Sequence, residues 1–180
     1  LEPEAIGVAE TIRRQARSRA IRHIGYFIED ELVAVMRLHD LQMNVRGTLI
    51  PAGGMGFLAV DLLHKKEHIA KEMMEFFHDH YLSNGCYVTL LYPFNTSFYR
   101  KMGYGYGGKV DQYRVDLRGM ALRKQKANLG YLSESDAPAA AKTYSRVFHR
   151  THGMCATSTE RIKDLFSREG GVAVGHFQNK

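Results

Sequence analysis

Apolar and polar positions change period several times along the chain, and each change marks a predicted element. From Glu4 to Arg22 the apolar residues Ile6, Ala9, Ile12, Ala16 and Ala20 fall at helical spacing. The pattern predicts a helix with Arg13, Arg14, Arg17, Arg19 and Arg22 largely on its outer faces. From His23 the period shortens to that of strands. Ile24–Ile28 and Leu32–Leu38 flank the polar Glu29-Asp30-Glu31, which predicts an antiparallel hairpin. Asn44-Val45-Arg46-Gly47 reads as a further turn, leading into Thr48-Leu49-Ile50. Pro51 to Gly56 reads as a cluster of breakers, and Phe57–Val60 as a short buried strand.

The clearest helix is expected from about Lys65 to Ser83, with Ile69, Met73, Phe76, Phe77 and Tyr81 as its apolar stripe. Glu67 and Lys71 would form an i,i+4 pair on it, and Asn84-Gly85 would stop it. His78-Asp79-His80 reads as a solvated helix end. A strand from Cys86 to Tyr92, a short helix from Thr96 to Lys101 and a strand from Val110 to Leu117 follow. The order predicts an α/β fold: a mixed, mostly antiparallel sheet with helices packed on both faces.

Beyond Arg118 the composition turns polar and basic. The expected organisation is a domain over 1–122, a linker over 123–136 and the start of a second domain over 137–180. That second part would hold helices over Ala137–Arg150 and Thr157–Arg168 and a strand at its end. Because the chain starts at Leu1 and ends on a strand, a fragment of a longer protein is expected.

Composition narrows the class. Of the 180 residues 44% are hydrophobic and 24% charged, which suits a globular chain with a real core. The sequence holds no apolar run long enough to span a bilayer and no charged-then-apolar leader. Two cysteines without metal-type spacing fit a reducing, cytoplasmic setting. The net charge of +6 points to an anionic partner: nucleic acid, a membrane surface or a phosphorylated cofactor.

Two segments carry the candidate chemistry. The first, Phe57-Leu58-Ala59-Val60-Asp61-Leu62-Leu63-His64-Lys65-Lys66-Glu67-His68-Ile69-Ala70, is a strand, a basic loop and the first turn of the long helix. Free backbone N–H groups and the positive end of the helix dipole make such a turn a good phosphate site. The second, Leu91 to Gly105, ends in Phe98-Tyr99-Arg100-Lys101-Met102-Gly103-Tyr104-Gly105. Together, in this order, they resemble the GCN5-related N-acetyltransferase (GNAT) superfamily, and more narrowly its Eis (enhanced intracellular survival) group. The resemblance covers Ile24 to Leu117.

The resemblance implies a GNAT acyl-CoA N-acyltransferase fold, with acetyl-CoA as cosubstrate and a small-molecule or lysine-type amine as acceptor. Leu58, Ala59 and Val60 would offer strand backbone to the pantetheine arm, as a peptide adds to an open sheet edge. Lys66, Glu67, His68, Ile69, Ala70 and Lys71 would cradle the pyrophosphate, and Phe94 and Asn95 would lie along the cofactor. Tyr99 would be the general acid, giving a proton to the departing thiolate. A homo-oligomer of the full-length protein is implied as well; a metal, a nucleic acid and a membrane are not. Two departures stand out: His68 replaces the glycine of the usual loop, and Glu67 adds a negative charge beside a phosphate site. They motivate an alternative, a GNAT-like binding module without catalysis. A remoter one is a zinc hydrolase, because His64-Lys65-Lys66-Glu67-His68 also spells His-x-x-Glu-His.

Overall fold

The structure is a computed structural model and describes residues 21–108, 111, 113, 114, 116, 128–167 and 171–177. The helix expected over Glu4–Arg22 lies outside these residues, except that Ile21 and Arg22 begin the first strand. Much of the strand expected over Val110–Leu117 and the basic stretch Arg123–Lys126 lie outside them too. The chain divides into two compact units. One runs up to Met43 and from Thr48 to Tyr104; the other takes Asn44–Gly47 and the chain from Gly105.

The first unit is built on a four-stranded sheet in the order β1-β2-β3-β4: β1 (Ile21–Ile28), β2 (Glu31–Val45), β3 (Thr48–Val60) and β4 (Thr89–Leu91). β1 and β2 form the expected antiparallel hairpin, while β3 and β4 run parallel. Parallel neighbours need a crossover, and helix α1 (Ile69–Ser83) supplies it. Its buried residues Ile69, Met73, Met74, Phe77 and Tyr81 share one core with Val33, Met36, Leu38 and Met55 of the sheet. Phe76, expected in that stripe, is 45% exposed, and Met74 is buried instead. Asn84 and left-handed Gly85 stop the helix where expected.

The sheet differs from the sequence pattern at two places. β2 continues through Asp40, Gln42 and Asn44, and β3 runs straight through the Pro51–Gly56 cluster. Those glycines serve close approach rather than a turn. A Cβ on Gly53 would sit 2.5 Å from the Tyr81 ring, and one on Gly54 2.9 Å from Leu41.

A short helix, α2 (Thr96–Arg100), follows β4. The second unit holds β5 (Leu129–Tyr131) paired antiparallel with β6 (Val174–His176), and helices α3 (Ala137–Phe148) and α4 (Thr159–Phe166). Residues 129–131, within the stretch expected as linker, form a strand. The Asn44–Gly47 turn is anchored in this unit: buried Asn44 donates to the Met154 and Phe148 carbonyls, and its own carbonyl accepts from Gly153 N–H.

Candidate active site

β3 and β4 share only three register pairs, Gly53–Met55 with Thr89–Leu91. β3 then runs on to Val60, five residues past the last pair. Phe57, just beyond the pairing, takes a left-handed φ of 57°, which kinks the strand away from an ordinary ladder. Leu58, Ala59 and Val60 therefore have no β4 partner opposite them. Such a strand leaves backbone donors and acceptors facing a gap.

The chain leaves β3 through a tight connection. Asp61 N–H bonds the Val33 carbonyl, and the Asp61 carboxylate accepts from Leu63 N–H at 2.8 Å, capping a single 3-10 turn over Leu62–His64. Lys66 (φ 74°) and His68 (φ 62°) both adopt the left-handed region that favours glycine. This delays the helix: α1 begins at Ile69, not at Lys65. His68 is its N-cap residue, and its side chain makes no capping bond. The His68 carbonyl accepts from Lys71 N–H (2.8 Å) and Glu72 N–H (3.1 Å), while the N–H groups of Ile69 and Ala70 have no intrahelical acceptor. They lie beside a cavity of about 240 Å³ whose walls include Val60, Lys66, His68, Ala70, Lys71 and Phe98.

Glu67 is turned to His64, whose Nδ1 lies 2.9 Å from its carboxylate. That hydrogen bond pushes the His64 pKa up. Lying before the helix, Glu67 does not make the i,i+4 pair expected with Lys71, which instead pairs with Glu75 at 3.5 Å. The zinc reading fails on the same geometry. His64 closes the 3-10 turn, Glu67 is bonded to it, and His68 precedes α1, so the histidines share no helical face. No group of three His, Cys, Asp or Glu side chains among the described residues is placed to hold a metal ion.

The second segment faces the first through Phe98. Asn95 caps α2, its side-chain oxygen accepting from Ser97 and Phe98 N–H at 3.0 and 3.3 Å. Asn95 thereby sets the start of the turn that carries Phe98 into the cavity wall and Tyr99 into the core. Tyr99 is 3% exposed, boxed edge-on by Phe94 (5.6 Å between ring centres), Phe98 (5.1 Å) and Tyr104 (6.1 Å). Burial pushes its pKa up, so at neutral pH the phenol keeps its proton. Its hydroxyl makes no hydrogen bond to a described residue. Of the residues the sequence singled out, Val60, Lys66, His68, Ile69, Ala70 and Lys71 line one cavity. Leu58, Ala59, Glu67, Phe94, Asn95 and Tyr99 do not line it; Phe94 is 75% exposed beside Tyr99. Phe98 was missed, although its place beside Tyr99 in the motif was a signal.

A larger groove of about 300 Å³ lies at the other end of α1, but its charged groups, Arg22 and Asp40, pair with each other at 2.7 Å. Tyr81 donates to the same carboxylate.

Residues 3–107 match the family model of the acetyltransferase (GNAT) domain. The chain belongs to the GNAT family. Its fold is that of solved GNAT structures. A GCN5-related N-acetyltransferase from Kribbella flavida is 20% identical, with a TM-score of 0.72 over 98% of this chain and 45% of that one. Eis1 from Mycobacterium abscessus is 21% identical, with a TM-score of 0.66 over 98% of this chain and 50% of its own. An aminoglycoside 6'-N-acetyltransferase from Acinetobacter haemolyticus is 14% identical, with a TM-score of 0.50 over 64% and 83%. The GNAT chain described here thus spans about half the length of the first two. No curated protein matches it. Among the described residues no helix is long and apolar enough to cross a membrane.

Proposed function

We propose that this GNAT domain transfers an acetyl group from acetyl-CoA to a primary amine, with Tyr99 as general acid. The observation that carries the reading is Tyr99 itself: a buried, protonated phenol whose hydroxyl is uncommitted among the described residues, packed on Phe98 in the wall of the cavity. The donor set there suits acetyl-CoA. The amides of Ile69 and Ala70, which have no intrahelical acceptor, suit a pyrophosphate together with Lys66 and Lys71, and the edge of Leu58–Val60 that has no β4 partner suits an amide-bearing arm.

Acetyl-CoA supplies a thioester; the neutral amine nitrogen forms the C–N bond and gives up one proton to solvent, the C–S bond breaks, and the sulfur leaves with the electron pair. Tyr99 donates its hydroxyl proton to that sulfur and later recovers one from solvent. A lysine-type acceptor with an ordinary pKa near 10.4 must lose a proton before it can attack, so turnover should rise with pH toward that value. The acceptor is a small-molecule or lysine-type amine, a class that includes the substrates of the aminoglycoside enzyme above. A cytoplasmic, homo-oligomeric full-length protein belongs to the same proposal, as does a domain over 1–122 joined by 123–136 to a second GNAT-like part over 137–180.

A binding module without catalysis is the second reading. Left-handed Lys66 and His68, where glycine would be unstrained, favour it. Tyr99→Phe separates the two. Acetyl transfer across a panel of amines should fall at least about 100-fold while acetyl-CoA affinity is kept. Undiminished transfer in Tyr99→Phe removes the general-acid role. Saturable CoA binding by the wild type with no transfer to any amine favours the module.

A further inference from the structure

Among the described residues three rings pack edge-on against the Tyr99 ring, and two of them border open space: Phe94 is 75% exposed, and Phe98 borders the cavity. The third wall, Tyr104, is different. Its hydroxyl lies 2.8 Å from His78 Nε2, in the middle of α1, and 3.2 Å from Thr89 Oγ1, on β4. Its ring also lies against the His78 ring, at 5.6 Å between centres. Its backbone N–H bonds the Tyr99 carbonyl at 3.2 Å, so the two tyrosines are tied at main chain as well as ring. Helix, strand and α2 are thus joined at one phenol. His78, which the sequence suggested would be a solvated helix end, is half-buried for this reason.

We propose that His78 and Tyr104 are positioning residues for Tyr99: the His78–Tyr104–Thr89 bonds lock the one rigid wall of the box that aims the Tyr99 hydroxyl. The inference rests on the reading of Tyr99 as general acid. An acid must meet the departing sulfur within hydrogen-bond reach, and misplacement by about 1 Å can cost a large factor in rate. With no hydrogen-bond partner among the described residues, the Tyr99 hydroxyl is placed there by the packing of its ring. Tyr104→Phe keeps the wall but unlocks it; His78→Phe keeps a ring on α1 but removes the nitrogen.

Steady-state kinetics on the full chain distinguishes the possibilities, with Tyr99→Phe alongside. Each lock variant should lower kcat about tenfold, leave KM for acetyl-CoA unchanged and keep the thermal midpoint within a few degrees. The double variant should be no slower than Tyr104→Phe alone, because His78→Phe removes one of the two bonds that Tyr104→Phe already removes. His78→Gln, which can still bond the hydroxyl, should recover most of the rate. Wild-type kcat in Tyr104→Phe, with Tyr99→Phe inactive, overturns the positioning role alone. Wild-type kcat in Tyr99→Phe overturns the general-acid reading and this inference with it. A readout independent of turnover is the NMR resonance of the Tyr99 Cζ in tyrosine-labelled protein. It should shift in both His78→Phe and Tyr104→Phe, and an unmoved resonance in both counts against the lock.

Discussion

At the entrance to α1, individual residues hold conformations that their side chains do not favour. Lys66 and His68 sit in the left-handed region, which costs a non-glycine residue roughly 1 kcal/mol or more. The fold demands this turn whether or not glycine fills it, so replacing the usual glycine preserves the cradle's shape at the expense of stability. Glu67 is the other departure, and its contact with His64 explains how a carboxylate is tolerated there: the charge is directed at an imidazole. The contact has a measurable sign. Because the folded His64 pKa is raised above its ordinary 6.5, its stabilising effect is present below that pH and is lost as pH rises through the folded value. An NMR titration should show His64 with a midpoint above 6.5, and Glu67→Gln should return it toward 6.5. An unshifted wild-type His64 would mean that the pair does not persist in solution.

Among the elements, β3 does the most to shape the site, and its sequence is the least strand-like. Gly53 is compelled by the Tyr81 ring, which is itself held by its hydroxyl bond to Asp40 at 2.9 Å and cannot easily withdraw. Gly53→Ala should therefore destabilise the protein by about 2 kcal/mol, in the range for overpacked cores. Gly107→Ala, where a Cβ meets nothing within 4 Å, should change stability by less than about 0.5 kcal/mol. Denaturant unfolding reads both, and equal effects would show that the Tyr81 contact is not what excludes a side chain. α1 shows the complementary case. Its period, stripe and stop were legible because one amphipathic face packs on one sheet, while its first turn was not, because two left-handed residues end the loop later than the apolar pattern suggests.

For the molecule as a whole, the charge of +6 suits an anionic ligand, and the cavity at the α1 N-terminus is lined by Lys65, Lys66 and Lys71. Acetyl-CoA at about 100 times its Kd should add roughly 2.7 kcal/mol, moving the thermal midpoint by about 5–10 °C. Zinc at the same concentration should move it by none. No shift with acetyl-CoA would mean that the strained loop does not close on the cofactor, and the binding role would fall with the catalytic one. By itself the sequence determined the mixed α/β class, the hairpin, the crossover helix and the order of the two motifs. These follow from local periodicity and from short segments whose spacing survives in the chain. Tertiary structure decided that a Pro-Gly cluster is a strand, that Glu67 faces His64, that His78 is half-buried against Tyr104 and that three rings pack around Tyr99. The strand pairing and the His78–Tyr104 contact depend on partners far away in sequence, and the contacts of Glu67 and Tyr99 with near neighbours depend on backbone turns that a pattern of apolar and polar positions does not specify.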